Sequence, residues 1–177
     1  DGNLPTHVFI QGGVGGMAGA VCGHYWETLG DKRPRFIVVE PDLADCLFES
    51  ALNGKPTPTT KDLETIMAGL ACGEISLIAW DILNTGTDDF VTLPDDVVAP
   101  AMCMLAEGED GDTPIVAGES AVAGLAALIA AGDDTALYDA FRLDPDSRVL
   151  LFGSEGASDP DLYTSIVGRS AQDVLGG

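Results

Sequence analysis

The sequence predicts a three-layer α/β fold on a mostly parallel sheet, and three observations carry that reading. Short apolar runs at His7–Gln11, 36–40, Asp89–Leu93 and 148–152 read as strands buried on both faces. Longer segments of helical character separate them, as they do in parallel sheets. The first run also stops at a glycine cluster, Gly12, Gly13, Gly15 and Gly16, and passes straight into an apolar helical segment from Met17. At 177 residues, one domain is the default.

Strand, glycine turn and helix together present free backbone N–H groups and a helix N-terminus to an anion. Glycine tolerates positive φ in the turn and lets an oxygen-rich ligand approach the backbone. We read the loop as a phosphate site. A turn that only makes a sharp connection is the alternative, but four glycines directly after a strand exceed what a turn needs. Gly13-Val14-Gly15-Gly16-Met17-Ala18 also satisfies G-x-G-x-x-[GA]. The second strand then ends at Glu40, where the ribose-binding acid of a dinucleotide site would fall. Phosphate alone does not separate nicotinamide, flavin and pyridoxal phosphate.

Residues 17–29 form a helix closed near Gly30, followed by a charged turn over 31–35. Pro41 at an early helical position opens a helix over 43–52, which ends at Asn53-Gly54. Residues 55–60 (KPTPTT) form a loop. Residues 65–74 (TIMAGLACGE) are apolar and small, with two glycines and no clean period. Such a segment reads as a loop packed into the interior, lining a site. Residues 75–83 form a helix with Trp80 on its buried face. Pro94-Asp95-Asp96 starts another through Leu105, and 107–113 is a polar loop. Gly118-Glu119-Ser120 precedes a small-residue helix, 121–131, suited to close packing. A short helix over 134–142 leads to the last strand. That strand ends in Gly153-Ser154-Glu155-Gly156, and a final helix begins near Asp159-Pro160. Ligands of parallel sheets bind beyond the carboxyl ends of the strands. The glycine loop, Glu40 and residues 153–156 should therefore converge.

With 29 acidic and 8 basic residues the net charge is −21. Nucleic acid is disfavoured as a partner, because phosphate contacts need Lys and Arg. The acids are scattered and read as solvated faces. An acidic surface with only Lys32, Lys55 and Lys61 would suit a high-salt cytoplasm, where screening removes self-repulsion. No apolar run approaches the ~20 residues of a membrane span, and no signal peptide opens the chain. The abrupt polar start, so close to a core strand, suggests a piece of a longer chain. Cys22, Cys46, Cys72 and Cys103 form no C-x-x-C pair, and with only His7 and His24 there is no zinc pattern. Each thiol reads as a small buried hydrophobe in a reduced, cytoplasmic setting.

Five segments in order, THVFIQGGVGGMAG, VVEPDLADC, IMAGLACGE, GES and LLFGSEG, resemble diaminopropionate ammonia-lyase. That family belongs to the fold-type II pyridoxal-phosphate enzymes, with threonine dehydratase and the tryptophan synthase β chain. The likeness runs from Pro5 to about Tyr163, and IMAGLACGE and VEPDLADC are its most specific pieces. It implies pyridoxal 5'-phosphate as cofactor, with Gly12, Gly13, Val14, Gly15, Gly16 and Met17 as the phosphate loop. It also implies that the Ser154 hydroxyl faces the pyridine nitrogen. A neutral partner there leaves the nitrogen unprotonated and favours elimination over transamination. The alternative for Ser154, from the residues alone, is a helix N-cap or turn hydroxyl. Glu40 either lines the cavity with loop 68–74 or is a buried acid holding nearby N–H groups.

Members of that family are about twice as long as this chain. The resemblance makes residues 1–177 the C-terminal portion of a lyase large domain, with the N-terminal half absent. The Schiff-base lysine and the proton-moving acids lie in that half. Lys32, Lys55 and Lys61 match no family lysine motif and read as surface side chains, so no catalytic residue is assigned here. For the whole enzyme the resemblance implies α,β-elimination of a small amino acid, 2,3-diaminopropionate, to pyruvate and ammonia, in a homodimer. The chain alone should not perform it. Three other readings stay open: another fold-type II deamination, of threonine or serine; a stand-alone nucleotide-binding module; and a catalytically dead fragment. Cys46 and Cys72 fall in family-matching segments near the cavity. They are expected to approach each other, as a disulfide or as two buried free thiols.

Overall fold

The computed structural model describes residues 4–108 and 111–176. One sheet holds four strands, β1 (His7–Gln11), β2 (Arg35–Pro41), β3 (Asp89–Leu93) and β4 (Val149–Leu151), in the order β3-β2-β1-β4. Every pairing is parallel, with Phe9 opposite both Ile37 and Leu151. The helices are α1 (Gly16–Leu29), α2 (Cys46–Asn53), α3 (Leu77–Gly86), α4 (Val98–Glu107), α5 (Ala123–Asp133), α6 (Thr135–Phe141), α7 (Pro160–Val167) and α8 (Ala171–Leu175). Among the described residues no helix is long and apolar enough to cross a membrane.

Alternate side chains of β1 and β2 enter two separate cores. Val8, Ile10, Phe36 and Val38 pack with Ala18 of α1, Leu47 of α2 and Trp80 and Leu83 of α3. Phe9, Ile37 and Val39 face the opposite side, against Met102 of α4, Ala127 of α5 and Phe141 of α6. The Phe9 and Phe141 rings meet edge to face at 5.2 Å. Burial on both faces is why these strands read as unbroken apolar runs. It also gives the three layers.

Boundaries differ from the sequence reading where long-range hydrogen bonds intervene. Pro41 does not open a helix. It stays in the ladder opposite Leu93, and the Asp42 N–H donates to the Leu93 carbonyl at 2.8 Å. Residues 42–45 then turn, and α2 begins only at Cys46. The last strand is shorter than 148–152. Its carbonyl at Phe152 accepts from the Gln11 side chain, at 2.9 Å, and from the Ser154 N–H. The final helix starts as read, with Asp159 capping it and Pro160 in its first turn. Helix α8 was not anticipated, although Ser170 and Asp173 form a capping box at its start.

The strand order sets where a ligand can sit. From β1 the chain steps outwards to β2 and β3, then returns to place β4 on the other side of β1. Helix α1, after β1, belongs to one core, while α7, after β4, packs in the other. Connections leaving adjacent strands to opposite faces open a crevice at their carboxyl ends.

Candidate functional site

Directly after β1 the Gly12 N–H still belongs to the sheet, donating to Val39 O at 2.9 Å. Gly15 donates back to Gly12 O and closes the turn. Gly13 and Gly15 take φ of +63° and +90°, a region that L side chains rarely adopt. The N–H groups of Gly13, Val14, Gly16 and Met17 donate to no acceptor among the described residues. They stand at the amino end of α1, a 14-residue helix whose dipole adds to their pull on an anion.

These groups line a cleft of about 370 Å³. Gly69, Leu70 and Cys72 supply a second wall, and Gln11, Ser120, Ser154 and Glu155 the rest. Loop 65–74 is held there at its start and its middle. The Asp95 carboxylate accepts from Thr65 Oγ1 and the Ile66 N–H, and Ser120 Oγ accepts from the Gly69 N–H at 3.0 Å. Met67 and Leu70 anchor the loop in the interior, whereas Ala68, Gly69 and Glu74 are exposed and only Gly69, Leu70 and Cys72 line the cleft. Ser154 is exposed on the cleft and caps no helix, since Asp159 caps α7. Its Oγ accepts from Gln11 Nε2.

Glu40 does not line the cleft, and the expected convergence fails for it, while of residues 153–156 only Ser154 and Glu155 reach the cleft. Glu40 is 1% exposed and lies behind Gly12, where a Cβ would stand 2.6 Å from the Glu40 Cγ. Its carboxylate accepts from the N–H groups of Leu47, at 3.2 Å, and Phe48, at 2.8 Å, in the first turn of α2. The helix N-terminus draws the acid away from the cleft, which also removes the ribose-binding acid of the dinucleotide reading. Burial pushes the Glu40 carboxyl up to about 8, against the opposing pull of the Phe48 and Leu47 N–H groups. A folded pKa above the unfolded value makes stability greatest below about pH 4.5 and progressively lost as pH rises through about 8. Urea unfolding from pH 5 to 9 should show that decline, and Glu40→Gln should flatten it. An unchanged slope in the variant would show that Glu40 is not its source.

The Cys46 and Cys72 thiols both border Gly13. Cys46 Sγ lies 3.6 Å from its carbonyl oxygen, and a Cβ on Gly13 would stand 3.8 Å from Cys72 Sγ. Both are free, with Cys46 buried and its thiol pushed up to about 12, first by burial and then by Glu40. None of the lysines lines the cleft: Lys32 and Lys55 are exposed, and Lys61 pairs with Asp45 at 2.5 Å. Another cavity, of about 420 Å³, lies at the amino end of the sheet beside Arg33 and Arg35. The Arg33 and Arg35 guanidinium groups are paired with Asp88 and Asp89, and Asp31 and Arg142 line the same cavity.

Sequence reasoning missed Gln11, Ser120 and Glu155. A polar residue closing a fully buried strand was the available signal for Gln11; Ser120 and Glu155 stood in quoted motifs without a role. Pyridoxal 5'-phosphate fits the residues present. The unpaired N–H groups match a phosphate, and the Ser154 hydroxyl across the cleft has no acceptor among the described residues.

Comparison with known proteins agrees. The chain is 42% identical over 176 residues to diaminopropionate ammonia-lyase of Salmonella typhimurium, covering 95% of this chain and 44% of that one. It superposes on holo diaminopropionate ammonia-lyase from Escherichia coli with a TM-score of 0.86 and 37% identity, over 94% of this chain and 42% of that chain. A threonine deaminase from T.th. shares the fold, with a TM-score of 0.74 at 21% identity, over 89% and 48% of the two chains. The chain thus spans less than half the length of the curated relatives it matches. The family model described as "Pyridoxal-phosphate dependent enzyme" matches residues 2–154. With the family matched over most of its length, and the cleft built to suit that cofactor, the chain belongs to the pyridoxal-phosphate dependent enzymes.

Proposed function

We propose that residues 1–177 are the cofactor-holding, C-terminal portion of a lyase that eliminates ammonia from 2,3-diaminopropionate, leaving pyruvate and a second ammonia. One observation carries the reading: the unpaired N–H groups of Gly13, Val14, Gly16 and Met17 face Ser154 across one cleft, in a chain 42% identical to a diaminopropionate ammonia-lyase. When bound, pyridoxal 5'-phosphate supplies the electron-withdrawing ring that acidifies the substrate's α-proton. The chain's residues bind and orient. The glycine loop and the α1 dipole hold the phosphate. Gly12 and Gly15 shape the turn, their own N–H groups being spent within the protein. Ser154 would face the ring nitrogen as a neutral donor, and Gly69, Leu70 and Cys72 of loop 65–74 would wall one side of the ligand.

The lysine that carries the cofactor, and the acids that move the substrate's protons, belong to the other half of the polypeptide. The whole enzyme acts as a homodimer. A second reading, deamination of threonine or serine, is favoured by the shared fold of threonine deaminase, but at half the identity. The intact polypeptide carrying this chain should release pyruvate from 2,3-diaminopropionate with kcat/KM at least about tenfold above that on threonine or serine. The 177-residue chain alone should release none. Faster turnover of threonine or serine would overturn the substrate, and sustained pyruvate from the isolated chain would overturn the division of labour.

A further inference from the structure

We infer that Gln11 is a positioning residue that aims the Ser154 hydroxyl proton into the cleft, towards the ring nitrogen of the ligand. The inference rests on the cofactor reading above and names a residue that reading leaves unused.

Gln11 closes β1 and is 3% exposed. Its Nε2 donates to the Phe152 carbonyl at 2.9 Å and to Ser154 Oγ. Its Oε1 is buried without a partner among the described residues. A buried carbonyl oxygen left unpaired is costly, so something must hold the amide in this orientation. The Phe152 carbonyl does so. It can only accept, and flipping the amide would set two oxygens against each other.

The nitrogen that faces Phe152 is therefore the one that faces Ser154. An amide nitrogen donates and does not accept, so Ser154 Oγ must be the acceptor of that bond. Its own proton is then directed elsewhere. No other acceptor takes it among the described residues, and Ser154 opens on the cleft. The two amide hydrogens are both used, one to terminate β4 and one to set the hydroxyl. With one lone pair of Ser154 Oγ taken by Gln11, the hydroxyl keeps its proton and one lone pair for the cleft, and an unprotonated ring nitrogen that takes the proton completes the chain Gln11, Ser154, ring. The partnership spans 143 residues of sequence, across the β1/β4 crevice.

The test uses the intact polypeptide loaded with pyridoxal 5'-phosphate labelled with ¹⁵N in the ring. Ring ¹⁵N chemical shift and cofactor affinity are measured for wild type, Gln11→Glu, Gln11→Leu and Ser154→Ala. A carboxyl has at most one proton to give, and the Phe152 carbonyl takes it, so Gln11→Glu leaves Ser154 free to donate to residue 11 instead of the ring. Gln11→Glu and Gln11→Leu should both move the ring signal in the direction seen in Ser154→Ala, and weaken cofactor binding by about tenfold, the worth of roughly one hydrogen bond. A merely structural role would lower the melting temperature without moving the ring signal. The inference is overturned if Ser154→Ala shifts the signal while both Gln11 variants keep the wild-type shift. If Ser154→Ala itself changes nothing, or wild type binds no cofactor, the cofactor reading falls first and this inference with it. Having two unlike substitutions at Gln11 keeps the result decisive if one of them fails to fold.

Discussion

Replacing Gly16 by valine is expected to weaken binding of pyridoxal 5'-phosphate by more than about a hundredfold while leaving the melting temperature of the protein unchanged. Gly16 is the first residue of α1 and its φ is ordinary, so any L residue can stand there. A Cβ at this position meets nothing within 4 Å, so the folded chain itself accommodates the new side chain. Valine costs no more than glycine inside a helix. The open space is the cleft, however, and the isopropyl group would stand over the N–H groups of Gly16 and Met17. Hydrogen bonds to a charged group contribute about 1.5–3 kcal/mol each, and loss of two accounts for the hundredfold or more. Titration of the purified variant with cofactor, beside a thermal melt, measures both quantities. Wild-type affinity in a folded variant would remove the phosphate from this loop.

The neighbouring substitution, Gly15→Val, should fail in the opposite way, by damaging the fold. At φ +90° a β-branched residue is strained, a cost of order 1–3 kcal/mol. Its Cβ would also stand 3.1 Å from Ala79 Cβ and 3.2 Å from Leu83 Cδ1, where α1 and α3 close on the turn. Overpacking of this kind costs about another 1–3 kcal/mol. Together they predict a loss of about 4 kcal/mol, which for a chain of this size lowers the melting temperature by roughly 10 °C. Although Gly15 lies in the glycine loop, its substitution strikes the packing against α3 first. A melt within about 2 °C of wild type would show that the turn relaxes at little cost. The two glycines sit side by side in one motif, yet one shapes the chain and the other faces the cleft.

What the sequence determined by itself follows from local rules. Phe9, Ile37 and Val38 announce strands because a strand covered on both faces needs apolar side chains at every position. The cluster from Gly12 to Gly16 announces a tight turn into a helix because positive φ requires glycine, as Gly13 and Gly15 show. Asp134 and Asp159 mark helix starts, and each accepts N–H bonds from the first turn of its helix. Tertiary structure alone decided the rest. Glu40 sits at the carboxyl end of a strand, where sequence places it at the ligand, yet the N-terminus of α2 turns it away behind Gly12. Loop 65–74 finds its seat through Asp95 and Ser120, and Ser120 lies 51 residues from Gly69. The bond from Gln11 to Ser154 crosses 143 residues. Periodicity and capping express what a residue does to its own helix or strand. A partner that distant is chosen by strand order, and β4 comes to lie beside β1 only once the whole sheet is assembled.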